Sequence, residues 1–230
     1  MIDYAEISAG LNTLEKLRES LNPTAELNIS RFNHNDIRYN FINQLNRAIF
    51  CNTLNLSYFE RTIRDKNHLD QILWTPTNKD HYEVMDSYVN NIRLSIVINL
   101  STITERFMRR VLAAVENKEN TNDPIWKIRN RIFQILKIDS ESEISNAHKI
   151  LFHMRNTIHN NGIYTGKEND YYDYASRKHN FIIGFAHSSA DFKTISFIVK
   201  DLLAFYNLVI NNNDIKKINF IEEEFKMRLE

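Results

Sequence analysis

Arg155 and His159 lie four residues apart in the stretch LFHMRNTIHNNGIY, residues 151 to 164. On a helix that interval puts both on one face, with Cβ atoms about 5 to 6 Å apart. An imidazole takes up and releases protons near neutrality. A guanidinium stays charged, and its fork of donors matches the oxygens of a phosphate. Together they suit phosphodiester cleavage. Asn156, directly after the arginine, turns further toward solvent or a facing helix. Periodicity alone favours a plainer role, because an arginine or histidine at the margin of an apolar face commonly snorkels or caps the last carbonyls.

These residues need a helix to hold them. At about 100° per residue, Ile144, Ala147, Leu151, Met154 and Ile158 form the buried stripe, and His148, Arg155 and His159 follow one edge of it. Ser140 or Ser142 starts this helix, and Gly162 suits the left-handed position just past its end. His159 then sits in the last turn, where a cation is favoured by the helix dipole. Upstream, the spacing predicts a helix over 125–136 opened by Pro124 and a long one over about 79–117, with Tyr88, Ile92, Ile96, Phe107, Val111 and Val115 at helical period. Three more are expected before it: 3–21 closed by Asn22-Pro23, one from Asn35, and one over about 57–74 ended by Thr75-Pro76. After Gly162 the chain reads as irregular, with FIIGF as a short strand. A helix over 192–211 follows, then a charged tail read as a short amphipathic helix.

Glycine (4) and proline (3) are scarce among 230 residues, as long helices with few turns require. The expected fold is all-α, a bundle of long helices with a short irregular or hairpin-like insert after the motif helix, in one domain spanning 1–230. Basic and acidic residues number 29 each. Zero net charge argues against non-specific coating of nucleic acid and leaves room for a local basic cleft. Arg106, Arg109 and Arg110 form such a patch at i, i+3, i+4, near Lys127, Arg129 and Arg131, although a solvated face paired with Glu105 and Glu116 explains it more simply. Glu105 is placed to face His148 or His159. Tyr171, Tyr172 and Tyr174 either stack bases or, the favoured reading, cover the open end of the bundle.

His148 and His159 stand roughly 16 Å apart along a helix and His153 falls off their line, so one metal cannot bridge them. No metal and no cofactor is expected. Cys51 is the single cysteine and forms no internal bridge. The N-terminus lacks a signal-peptide pattern, and no run approaches eighteen consecutive apolar residues. No membrane span and a cytoplasmic location are therefore expected.

The order R-N-x-x-H-N-N-G-x-Y, Arg155 to Tyr164, at the end of a bundle helix resembles the motif of the HEPN superfamily. These are helical nucleotide-binding and RNA-cleaving domains of bacterial toxins and defence systems. Members carry an Arg, often followed by Asn, Asp or His, and a His after four to six intervening residues. Here three intervene, Asn156, Thr157 and Ile158. The resemblance spans about 79–211, including LSTITERFMRRVLAAV before the motif and FKTISFIVKDLLAFYNLVI after it. Residues 1–75 form an N-terminal helical extension outside it. It implies a metal-independent endoribonuclease acting as a homodimer, whose two motif helices meet in one composite cleft. His159 would be the acid/base residue, Arg155 the phosphate ligand and Asn156 their polar companion. The ribose 2′-hydroxyl of a single-stranded RNA would attack the adjacent phosphate and leave a cyclic phosphate. A toxin–antitoxin or anti-phage setting, with an antitoxin partner protein, goes with that activity. The alternatives are a catalytically inactive dimerisation or RNA-binding module of the same fold, and an unrelated helical scaffold in which the motif is coincidence.

Overall fold

The computed structural model describes residues 4–65, 70–71, 77–118 and 122–223. Among them are seven helices and one two-stranded sheet, so the fold is an all-α bundle. Helices α1 (Tyr4–Arg31) and α2 (Ile37–Arg64) run antiparallel. The Tyr4 hydroxyl donates to the Ile63 carbonyl at one end, at 2.8 Å, and the Asn46 amide to Asn22 nearer the other, at 2.9 Å.

Two expected boundaries here are overturned. The first helix does not close at Asn22-Pro23; it continues through Pro23 to Arg31. An interior proline costs about 3 kcal/mol, but Leu21, Ala25 and Asn28 keep a buried face going past it. Nor does a new helix begin near Ser57. A single α2 runs from its cap at Asp36 to Arg64, burying Phe41, Leu45, Ile49, Leu56 and Ile63 on one side. The end of the expected third helix, with Trp74 and Thr75-Pro76, lies outside the described residues.

Thr77 and Asp80 form a capping box at the start of α3 (Asn78–Val115), satisfying donors that the first turn leaves free. Pro124 opens α4 (Ile125–Leu136), and the Ser142 side chain caps α5 (Glu143–His159) by accepting from the Ser145 N–H. Strands β1 (Asp170–Tyr174) and β2 (Arg177–Phe181) form an antiparallel hairpin. Its two-residue turn, Ala175-Ser176, has positive φ at both positions, the twist such hairpins favour. The strand is thus RKHNF. Of FIIGF only Phe181 belongs to the strand; the chain turns at Gly184, with φ +82°, and Gly184 and Phe185 bond the Tyr164 backbone instead. Helix α6 (Phe192–Asn211) returns through the core. Among the described residues, the tail expected as an amphipathic helix forms the single turn α7 (Asn213–Lys216), after which Glu222 bridges to Asp36. Residues 224–230 lie outside the described residues.

Rings join the helices. Phe107 of α3 stacks on Phe41 of α2 at 4.3 Å and meets Phe205 of α6 edge-on at 6.1 Å. Phe205 in turn meets His148 of α5 at 4.7 Å, and His148 meets Phe133 of α4 at 5.2 Å. Helix α1 packs on α6, and Gly10 approaches Phe192 so closely that a Cβ there would lie 2.6 Å from the ring. By length and hydropathy α6 could cross a membrane. It holds Lys200, Asp201 and Asn207, however, and its apolar side is buried against α1 and α5, the burial of a core helix.

Arg38 and Asp36 form a buried pair, 3% and 1% exposed, at 2.6 Å. The same guanidinium donates to the carbonyls of Ile218 at 2.9 Å and Asn219 at 3.1 Å, clamping the C-terminal segment onto α2. Removing one partner of a buried pair strands the other. Arg38→Ala should therefore lower the free energy of unfolding in urea by about 3–5 kcal/mol. Pro23→Ala should raise it by about 1–3 kcal/mol, since an interior helical proline costs more than its unfolded-state rigidity returns.

Candidate functional site at the end of helix α5

The last turns of α5 carry the motif, and the helix is regular through His159. Beyond it the chain folds back sharply. Asn161 and Gly162 take left-handed φ values of 58° and 83°, and the Gly162 N–H donates to the Thr157 carbonyl at 2.9 Å. A Cβ at Gly162 would meet nothing, so its backbone angle and not space favours glycine. His159 and Asn156 are exposed. Neither side chain makes a hydrogen bond or ion pair among the described residues.

Arg155 is placed differently. Its Nη1 is bonded to the Glu105 carboxylate of α3, so Glu105 faces neither His148 nor His159. Arg109 grips the same carboxylate through Nη2 at 2.6 Å and Nε at 2.9 Å, and donates to the Asp123 carbonyl at 2.8 Å. Burial alone would raise the Glu105 pKa, but the hydrogen bonds and charges of Arg109 and Arg155 outweigh it and hold the carboxyl below its ordinary range.

The basic triplet on α3 is also engaged within the protein. Arg106 is bonded to Gln44 and lies 3.2 Å from Glu223, and Arg110 donates to the Glu222 carbonyl at 2.8 Å. Arg131 pairs with Glu116 and, at 3.0 Å, with Asp123. The α3 arginines tie that helix to α2, to Asp123 and to the C-terminal segment, and Arg131 ties α4 to Glu116 and Asp123.

The expected edge of His148, Arg155 and His159 therefore splits. His148 is fully buried, because Phe133 of α4 and Phe205 of α6 close over that side. Its Nδ1 lies 2.8 Å from the Ile144 carbonyl, and burial pushes its pKa down to about 4. Of the expected stripe Ala147, Leu151 and Met154 are buried, whereas Ile144 and Ile158, at its two ends, are only partly so, and Asn146, Ile150, Phe152 and Thr157 are buried beside it. Only the last turns leave one flank open.

A second cluster, which helical spacing did not bring together, lies on the hairpin side of α5. His153 Nε2 lies 2.9 Å from the Tyr172 hydroxyl and 3.6 Å from Asp170 Oδ2, and Tyr164 donates its hydroxyl to that same oxygen. The His153 ring stacks on Tyr172. Burial lowers the His153 pKa against the opposing pull of Asp170, and burial with Asp170 raises those of Tyr164 and Tyr172. Tyr174 is buried, donating to Asp201 at 2.6 Å, whereas Tyr171 is 63% exposed. Two of the three tyrosines thus act as cover. The alternation in YYDY was the available signal, but only the docked hairpin shows which helix it covers.

Two cavities flank the end of α5. One, about 670 Å³, lies between Asn90 and Arg93 of α3, Thr157 and Ile158, and the loop at His187. The other, about 290 Å³, is lined by His153, Asn156, Asn160, Tyr164, Lys167 and Asp170. Among the described residues, no three of His, Cys, Asp and Glu are grouped so as to hold a metal ion.

Glu105, with its pKa depressed from 4.5, contributes stability that is present above about pH 4.5 and lost as pH falls through its folded value. Glu105→Gln should be less stable than the wild type at neutral pH, and the difference should shrink below pH 4.5, as read from urea midpoints across pH. A constant difference would mean that the charge is not what binds α3 to α5. Comparisons with protein-family models, with curated proteins and with solved structures give no match to this chain.

Proposed function

We propose that the chain is a HEPN-like, metal-independent endoribonuclease of a bacterial toxin–antitoxin or anti-phage system, acting in the cytoplasm on single-stranded RNA. The observation that carries this reading is the open flank at the end of α5, where Asn156, next to Arg155, and His159, one turn on, are exposed with side chains unpartnered among the described residues. Glu105 engages Arg155 through Nη1, which leaves Nη2 for a phosphate oxygen.

Cleavage by internal attack needs two proton transfers. A base takes the proton of the 2′-hydroxyl as its oxygen bonds to phosphorus, and an acid protonates the departing 5′-oxygen as the P–O5′ bond breaks. The product is a 2′,3′-cyclic phosphate. One imidazole cannot hold both protonation states at once. A homodimer that brings two α5 ends together supplies one His159 as base and the other as acid, with Arg155 neutralising the phosphate between them. Asn156 would orient the strand or the imidazole.

A second reading has its own support. The Arg155–Glu105 pair ties α5 to α3, a role that an inactive dimerisation or RNA-binding module would retain without chemistry.

End-labelled single-stranded RNA incubated in excess EDTA separates the two. The wild type should cut and leave cyclic phosphate ends, and His159→Ala should be slower by about 10²–10⁴-fold. Failure of the wild type to cut a varied RNA pool would favour the inactive module. Equal cutting by both proteins would remove His159 from the reaction.

A further inference from the structure

The smaller cavity adjoins the proposed cutting site around the α5 axis, with Asn156 between them. With His153 set at zero and turns of about 100° per residue, Arg155 falls near roughly 200°, His159 near 240°, Asn156 near 300° and Asn160 near 340°. Asn156 is thus the border between the Arg155–His159 flank and the cavity whose wall it forms. A strand lying across that flank passes the cavity mouth.

The walls have a definite chemistry. Asp170 and Glu168 line the cavity with two negative charges and Lys167 with one positive, while Arg129 and Lys149 act on His153 from outside the lining, and the partly buried His153 favours its neutral form. A phosphate is poorly placed among them, whereas a neutral group rich in hydroxyl and amino donors is well placed. A carboxylate offers about four acceptor sites, and the Tyr164 and Tyr172 hydroxyls and His153 use three of those of Asp170 at most. Lys167 makes no ion pair among the described residues. The Asn160 amide is already turned to the Thr165 hydroxyl at 2.8 Å, which holds the 160–165 wall in place. The Gly166 backbone passes against the Tyr164 hydroxyl, where a Cβ would not fit. At about 290 Å³ the space lies at the small end of ligand pockets, about 300–1,000 Å³.

We propose that this cavity is a nucleoside subsite, in which one sugar–base unit sets its hydroxyl and amino donors on the Asp170 carboxylate and the Asn156 amide. The assignment rests on the ribonuclease reading for its place beside the cut and deepens it. The phosphate goes to Arg155, the nucleoside that bears the departing 5′-oxygen goes to the cavity, and its 2′-hydroxyl, which is not the nucleophile, distinguishes RNA from DNA by donating to Asp170.

The test is a titration of the ¹⁵N-labelled full chain with adenosine and with 2′-deoxyadenosine, followed by amide shifts. Adenosine should move the amides of residues 153–170 at saturable concentrations. 2′-Deoxyadenosine should bind about ten- to a hundredfold more weakly, as loss of one hydrogen bond to a charged acceptor predicts. Asp170→Asn should weaken adenosine by a similar factor and abolish the preference. Asn156→Ala, at an exposed side chain, should weaken both nucleosides without disturbing the fold, so a misfolded Asp170 variant does not decide the matter. Absence of shifts at the cavity, or equal affinity for the two nucleosides, overturns the subsite. RNA cleavage lost in His159→Ala but without adenosine shifts removes the subsite alone. Adenosine binding in a protein that cuts no RNA leaves the subsite and removes the ribonuclease.

Discussion

Phe107 is the point on which the bundle closes. Its ring is fully buried against Phe41 of α2 and against Phe205 and Tyr206 of α6. Through Phe205 the contact reaches His148 and Phe133, so one run of rings spans five helices. An aromatic side chain buries about 150–250 Å², and deleting one from a core costs about 3–5 kcal/mol. That interlock fixes where α5 enters the core, and so which of its residues are covered. His148 falls inside the ring cluster and loses its value as a proton carrier. His159, eleven residues on, has passed beyond α4 and stays in water.

Charge does the finer positioning. Glu105 sits between Arg109 and Arg155, and the pair to Arg155 joins the long helix to the motif helix. Held this way, the guanidinium has fewer rotamers to lose when it meets an anion. The same contact is also a counter-charge that any anion must share. Arg106 and Arg110 fasten the chain end near residues 222–223, and Arg38 with Asp36 fastens residues 215–221. Few cations of α3 are left for a strand of RNA, so under the proposed ribonuclease reading recognition would fall to the exposed flank of α5 and the cavity beside it.

Much of the helical frame was legible because caps and breakers are local. Pro124 marked the start of α4, Ser142 that of α5, and Gly162 the reversal after it. The misreadings differ in cause. Pro23 looked like a stop, yet tertiary burial of Ala25 and Asn28 carries α1 through it. FIIGF looked like a strand by composition, but pairing with β1 ends at Phe181 and the chain turns at Gly184. In the first case tertiary burial outweighed a local preference, and in the second the turn at Gly184 ended the strand.

The sequence by itself determined the all-α class, the α5 helix, and the placing of Arg155, Asn156 and His159 on neighbouring turns, since helical period and capping need only residues a few positions apart. Tertiary structure alone decided that Glu105 holds Arg155, that His148 is buried, and that His153, Tyr164 and Asp170 share a cavity wall. Those contacts join residues 50 apart in the first case and depend on the docking of a hairpin in the last. Such meetings are set by how whole faces pack, which no short window of sequence contains.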